Sequence, residues 1–555
     1  MEFNSDLTGL PFLMPVGRIA GGKTKTLSMN NRFFGVLISI SRFVLVLIIM
    51  KEIIKIILVR ELNNNQYDKY KDYIGKSLFV LSLFVLALMI FLIIQKPFLH
   101  IDEWFTRGLL NISFKEMVSV TAGDVHPPLY YAIALVPVYL LEWLHIPYDM
   151  IFVMKMVSVA AYVLLFAVSI TKIREDYGWL AGGLFALTLL IMSNFFTMFS
   201  IARMYPWGMF FLVMAFLFAI ETLKDPKLKN WIILAFFSVC GAYTHYFVAV
   251  SLILIYVLLL VHYLLKDKTQ IKNWFISTVL GIICYAPWLI VLYRQMKTVK
   301  GSYWIEGITI EKFLEFFATT FVTENQDLII NVIFAAVFLV IFIFVVLSYK
   351  KSQEDSDFVL FGFLVFIATI LFGVIVSAAY KPILVVRYLA PATGLLWLCI
   401  SIFVSKFDFK KVIIPVMVLI LLFGAVNLYG QVDEISKNHD YLVKNQQFLE
   451  KINNNDSVVI IDGMVKYIHF HDQLNKSKVY GDFSVDERKE AKGYTKFYDD
   501  EKYKFLMPDD FKKYKNKTVY MAKRPGSTWK LPSYVSMSKV GHIENCNFYK
   551  LTYKG

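Results

Sequence analysis

Long apolar runs separated by short charged connections make up most of this chain. The runs fall at 77–95, 152–171, 178–197, 205–222, 230–246, 248–265, 274–293, 329–348, 358–379, 389–405 and 411–430. A helix needs roughly 20 apolar residues to cross about 30 Å of hydrocarbon, so the pattern predicts an α-helical polytopic membrane protein with about 11–12 transmembrane helices. Lys and Arg gather in the connections 171–176, 224–229, 266–272, 349–351 and 406–411. All of these fall on one side of the predicted topology, and cationic short loops mark the cytoplasmic side. The stretches 96–151, 199–206, 244–246, 294–328 and 381–388 then face the exterior, as does everything from about 435.

Two segments break the simple alternation. Residues 34–59 are apolar but carry Arg42, Lys51, Glu52 and Lys55. A mid-bilayer charge costs about 2.5–3.5 kcal/mol, so both an interfacial helix and a true span stand open there. Residues 129–146 are apolar but hold Pro137 and Glu142. Counting them as a span would place the lysine-rich connections outside, so they are expected to form a helix lying on the outer surface. Past 435 the membrane pattern stops. The runs 457–461 and 518–521 read as strands and 464–474 as a helix, predicting a small C-terminal α/β exterior domain. The chain thus divides into 1–76, a cytoplasmic N-terminus with the extra apolar segment; 77–434, the membrane domain with its first exterior loop 96–151; and 435–555, the soluble domain.

Composition agrees with this division. Of 555 residues 57% are hydrophobic and only 18% charged, where soluble domains run near half apolar and a quarter charged. The formal charge of +14 sits largely in the short loops, so it reads as topology signal and nucleic acid is not an expected partner. The first thirty residues lack an apolar core of the signal-peptide kind, so no cleavable leader is expected. Cys240, Cys284 and Cys399 lie in apolar runs and Cys546 stands alone, which implies no disulfide framework.

The chemistry-bearing residues cluster in the predicted exterior stretches. His100-Ile101-Asp102-Glu103-Trp104 directly follows the first predicted core span. Adjacent carboxylates can act as a general base or hold a divalent cation; a solvated acid pair is the plainer reading. Gly123-Asp124-Val125-His126-Pro127-Pro128-Leu129-Tyr130-Tyr131 follows about twenty residues on. The two prolines stiffen the approach to the surface helix, which an ordinary helix start would also use. Arg203 in Ala-Arg-Met-Tyr205-Pro, and Arg387-Tyr388 following Lys381, suit phosphate recognition or snorkelling to headgroups equally well. His245 and Tyr246 stand at the exterior end of a span. Residues 301–307 (G-S-Y-W-I-E-G) can stack on a sugar or anchor the interface through their aromatics.

The Asp-Glu pair followed by D-x-H-P-P-L-Y-Y before an amphipathic helix resembles the first exterior loop of the GT-C glycosyltransferases. The likeness is greatest to the protein O-mannosyltransferase branch and its bacterial and archaeal relatives, which include the aminoarabinose transferases of lipid A. It spans roughly 77–430 and is sharpest over 100–131. The resemblance implies a polyprenyl-phosphate-linked sugar donor, a hydroxyl acceptor and a single inverting displacement. It assigns the base to Asp102, with Glu103 supporting the site, and places Asp124, His126, Arg203 and Arg387 around the substrates; Tyr205, His245, Lys381 and Tyr388 in the same predicted exterior turns are further candidates for substrate binding, although a lone histidine there is more often a hydrogen-bonded interface residue. Asp102, Glu103 and Asp124 are the residues it offers to a divalent metal ion. Two departures are evident: the segment 34–59 is additional to the common core, and the C-terminal domain is not that of the eukaryotic protein mannosyltransferases. A polyprenyl-lipid or glycolipid transporter would also keep charges beside its spans, but internal repeats expected of one are not seen. A membrane-anchored receptor has no need of so many spans.

Overall fold

The computed structural model describes residues 64–96, 101–299, 307–351, 355–407 and 409–462, then the strands of a C-terminal sheet with a few isolated positions. The apolar segment 34–59, His100 and most of 301–307 and 464–474 lie outside the described residues. Each predicted span is met by a helix. They are α1 (Asn64–Gln95), α5 (Met150–Val168), α6 (Arg174–Ile191), α8 (Tyr205–Lys224), α9 (Leu228–Ala242), α10 (Tyr246–Lys266), α11 (Ile271–Val299), α13 (Leu328–Lys350), α14 (Ser356–Ala379), α15 (Val386–Ser405) and α16 (Ile414–Ile452). Shorter helices lie between them: α2 (Ile101–Leu110), α3 (Phe114–Gly123), α4 (Leu129–Trp143), α7 (Phe195–Ser200) and α12 (Ile310–Ala318). Nine stretches among the described residues are long and apolar enough to cross a membrane, one of them joining α5 to α6; α9, with 15 residues, is shorter. The chain is a multi-pass helical membrane protein.

The bundle is ordered by burial. The apolar window of α15 is 100% buried and that of α11 only 11%, so α15 is the central helix and α11 a peripheral one. Peripheral helices turn Ile253, Ile283, Ile329 and Val426 outward. Such apolar faces are stable only against lipid. Where α1 crosses α6, glycine lets the two backbones touch. A Cβ on Gly183 would lie 2.4 Å from the Gly75 carbonyl oxygen, and one on Gly75 would lie 2.3 Å from the Trp179 carbonyl carbon. Small residues at a membrane-helix crossing gain dispersion contact in this way. The junction of α5 and α6 passes through a π-turn, Ser169–Ile173, and bends at Gly178, whose φ of +88° favours glycine.

The two ends of the bundle differ chemically. At one end Lys172 pairs with Glu221 at 2.8 Å and Asp176 at 3.2 Å, and Lys406 with Asp355 at 2.8 Å. Lys71 donates to the Ser405 carbonyl there, and Lys224 lies over the rings of Tyr177 and Phe358. Three of the five cationic connections picked out by the sequence pattern, 171–176, 224–229 and 406–411, therefore gather at one end. Asp102, Arg203 and Arg387 belong to the opposite helix ends, since they sit after α1 and at the starts of α8 and α15.

Several boundaries differ from those the sequence predicts. The span expected over 178–197 stops at Ile191: Met192 is extended and Ser193 takes a positive φ of 52°. Gln431 of α16 stabilises this break, donating to the Ser193 carbonyl and accepting from the Thr197 N–H, both at 3.0 Å. The span expected over 230–246 ends at Ala242, and His245 caps α10 by accepting from the Phe247 N–H. The surface helix expected over 129–146 ends at Trp143. Finally, α16 continues unbroken through residue 435 for 39 residues.

Beyond α16 lies a five-stranded sheet of β1 (Ser457–Asp462), β2 (Lys478–Asp482), β3 (Thr518–Lys523), β4 (Val535–Ile543) and β5 (Cys546–Tyr553), in the order β2-β1-β3-β5-β4. The pairs β1–β2 and β1–β3 are parallel, whereas β3–β5 and β4–β5 are antiparallel. Strand β1 is buried on both faces, which explains its uniform S-V-V-I-I-D composition. Leu449 and Ile452 from the end of α16 pack with Val459, Ile461 and Phe548 on one face. Val458, Ile460 and Met521 fill the other. The strands at 457–461 and 518–521 are found as expected; of the expected helix, Phe470 and Leu474 are described and both join the first core.

Candidate functional site

Five residues separate the end of α1 from the start of α2, which carries Asp102 and Glu103 in its first turn. The two acids take opposite roles. Asp102 is half-buried, and its carboxylate lies 3.7 Å from the Arg387 guanidinium. Glu103 is fully buried: the Lys155 ammonium of α5 donates to its two oxygens at 2.9 and 3.2 Å, and the Ala202 N–H adds a bond of 2.7 Å.

Asp124 and His126 occupy the turn between α3 and α4. The Leu129 N–H donates to the Tyr243 carbonyl at 3.0 Å, fastening the start of α4 to the α9–α10 turn. That fastening brings the His126 and His245 rings to 6.5 Å. Nδ1 of His126 lies 2.8 Å from Asp124 Oδ2, and Nε2 lies 3.5 Å from Arg203 Nη2. A guanidinium can only donate, so Nε2 accepts and Nδ1–H donates to Asp124. Arg203 also donates to the Asp102 carbonyl at 3.0 Å. It is thereby held between the Asp-Glu turn and the D-x-H turn, although about a hundred residues separate it from the first.

An aromatic wall completes the cluster. His245 stacks edge-on with Tyr205 at 5.5 Å and with Tyr388 at 5.1 Å. The phenol of Tyr205 is buried with no hydrogen-bond partner among the described residues. Arg387 lies above the Tyr388 ring, 5.9 Å from its centre. Burial first, and then the adjacent His126, Arg203 and Arg387, hold His245 well below the usual histidine range, so its ring is neutral. Lys381 stands on the non-helical segment between α14 and α15.

A cavity of about 720 Å³ opens at this cluster. His126, His245 and Tyr388 are at its head; below them it runs between α9, α10, α11 and α14, past residues such as Val250, Ile253, Leu289 and Phe372. A polar head, with Arg203 next to its His126 and Arg387 over its Tyr388, above an apolar shaft suits an amphiphile with an anionic group joined to a long hydrocarbon. The acids proposed for a metal do not form a donor set. Glu103 is engaged by Lys155, Asp124 by His126, and among the described residues no three His, Cys, Asp or Glu side chains are placed to share an ion.

Three residues that brace the site escaped the sequence reading. Lys155 is one; its signal was a lone cation inside an otherwise apolar span, which by default deserves a functional reading. Gln295 is the second: it donates to the Thr121 carbonyl at 2.9 Å and accepts from the Tyr246 hydroxyl, tying α11 to the turn that holds Asp124. Gln431 is the third, and neither glutamine carries a motif.

No family model matches the chain, and the comparison with curated proteins finds no match. Solved structures do share its fold. ArnT from Cupriavidus metallidurans bound to undecaprenyl phosphate superposes with a TM-score of 0.57 at 12% identity, over 85% of this chain and 97% of that one. The apo state of the same protein gives 0.55 at 11% identity, with the same coverage. The Archaeoglobus fulgidus oligosaccharyltransferase in its apo form is more remote, at 0.41 and 11% identity over 73% of this chain and 64% of that chain. The chain therefore shares the membrane fold of ArnT.

Proposed function

We propose that this chain is an inverting glycosyltransferase that moves a monosaccharide from a polyprenyl-phosphate carrier to a hydroxyl acceptor at the exterior face of the membrane. The observation that carries the reading is the placement of Asp102, Arg203 and Arg387 together, beside the head of an apolar cavity. The ArnT relative, a structure containing undecaprenyl phosphate, supports the same ligand class. The lysine-rich helix ends are cytoplasmic by the positive-inside rule, which puts the site outside.

In this mechanism the prenyl tail occupies the shaft and the phosphate lies between Arg203 and Arg387. Asp102 takes the proton of the acceptor hydroxyl. The freed oxygen attacks the anomeric carbon from the face opposite the carrier, forming the new glycosidic bond with inversion. The bond from that carbon to the phosphate oxygen breaks, and the electron pair leaves with the lipid phosphate. A phosphate monoester needs little protonation to leave, so two guanidiniums that stabilise the developing charge suffice. Asp124 orients His126, whose Nε2 in turn positions Arg203. No step requires a metal ion, and the three acids do not provide a site for one.

A transporter would require the charged groups near the midplane, whereas here they gather at one end of the bundle. The deciding experiment is transfer of labelled sugar from a panel of polyprenyl-phosphate sugars by the purified chain, wild type beside Asp102→Asn. Wild type should transfer and the folded variant should fall by about 10³-fold or more, the loss expected for a missing base. Equal transfer by both would remove Asp102 from the chemistry. Movement of lipid without transfer by either would replace the enzyme with a transporter.

A further inference from the structure

We infer that Lys155, inside membrane helix α5, is a positioning residue that sets the distance between the base and the phosphate-binding arginine; the inference rests on the glycosyl-transfer reading above. A lysine in a span is costly, and 2% exposure leaves its ammonium no route to snorkel. The site is built to hold it. Its three donors find Glu103 Oε1 at 2.9 Å, Glu103 Oε2 at 3.2 Å and the Ser200 carbonyl at 3.1 Å.

Stability alone gives little reason to keep such a pair, because apolar residues of similar size commonly serve a core as well or better. What the pair does hold is backbone. Glu103 accepts from the Ala202 N–H at 2.7 Å, and Thr106, one turn further along α2, donates to the Ala202 carbonyl at 2.9 Å. Both polar groups of the residue preceding Arg203 are thus gripped from α2, the helix that carries Asp102. Arg203 closes the ring by donating to the Asp102 carbonyl at 3.0 Å. Lys155 bridges the two sides of this ring, since it binds Glu103 on α2 and Ser200 on the arginine's own segment. Gln431 fastens the start of that segment at Ser193 and Thr197, and between Ile191 and Tyr205 only the six residues of α7 are helical, so the end next to Arg203 is the part that α2 and Lys155 hold. Glu103, offered by the family resemblance as a supporting or metal-binding acid, is on this view the counter-charge of the pin.

The test is the double variant Glu103→Leu/Lys155→Met in the purified full chain, beside wild type. Three quantities are measured: the melting temperature, the rise in melting temperature given by undecaprenyl phosphate over undecaprenol, and kcat for sugar transfer. The double variant should still fold and melt only a few degrees lower, because an apolar pair leaves neither ion alone although the Ala202 N–H loses its acceptor. It should lose the phosphate-dependent rise, and its kcat should drop by about 100-fold, the scale of a misplacement near 1 Å. A double variant that melts, binds and transfers like wild type would make the pair merely structural and overturn the assignment. Wild type that shows neither the rise nor transfer would instead sink the glycosyl-transfer reading, and this inference with it. Should the double variant fail to fold, Lys155→Arg decides the matter. It keeps the charge but moves the hydrogen bonds, so reduced kcat at unchanged melting supports positioning, and wild-type kcat refutes it.

Discussion

At the scale of single residues, charge geometry carries the site. In the proposed function Arg203 and Arg387 share the work of meeting a phosphate, and a planar fork does this in a way a single ammonium does not. Arg203→Lys and Arg387→Lys should each lower kcat by about 10- to 100-fold while leaving the fold intact, as single-turnover transfer would show. His245 adds a pH signature. Because its folded value is depressed, the unfolded chain binds a proton that the folded chain refuses. The stability it confers is complete above the unfolded value near 6.5 and is lost as pH falls from there toward the folded value, at about 1.4 kcal/mol per pH unit. Melting of wild type in detergent should therefore fall more steeply from pH 7 to pH 5.5 than melting of His245→Asn; parallel curves would show that the ring is not the group involved. Asp102, His126, Arg203 and Arg387 could all be picked from the sequence because their side chains are reactive wherever they stand. Lys155, Gln295 and Gln431 could not be assigned partners. Each acts through a backbone group 45 to 238 residues away.

At the scale of elements, two helices make opposite predictions about size. The α1–α6 crossing leaves no room beyond hydrogen, and the atoms in the way are backbone. Gly183→Val should destabilise the chain by about 3 kcal/mol, read as a lowered unfolding midpoint in detergent. Gly281 on α11 lines the cavity, and an added Cβ there meets nothing within 4 Å. Gly281→Phe should fold normally and raise KM for the lipid-linked donor with kcat little changed; an unaltered KM would place the lipid elsewhere. The helices themselves were legible because each needs a run of apolar residues long enough for the bilayer. Their ends were less so. The break at Met192–Asn194 lies inside a continuous apolar stretch, and only a glutamine on α16 reveals why the backbone can leave the helix there.

At the scale of the whole molecule, the lysine pattern predicted which connections share one end of the bundle, and Lys172, Lys224 and Lys406 do gather at one end. The C-terminal sheet was only partly legible. Strand β1 announces itself by its apolar run, whereas β4 and β5 mix polar with apolar residues and are recognisable only once paired. One feature joins the two regions: α16 is hydrogen-bonded to the bundle through Asn427 and Gln431 and ends in the core of the sheet at Leu449 and Ile452. A rigid helix of 39 residues has a phase as well as a length. Each inserted residue would turn the sheet by about 100° around the helix axis. Two residues added between Gln431 and Leu449 would swing it to roughly the far side, while four would return it to nearly its starting bearing, one turn further from the membrane. The direction in which the domain faces is thus set by counting residues along α16.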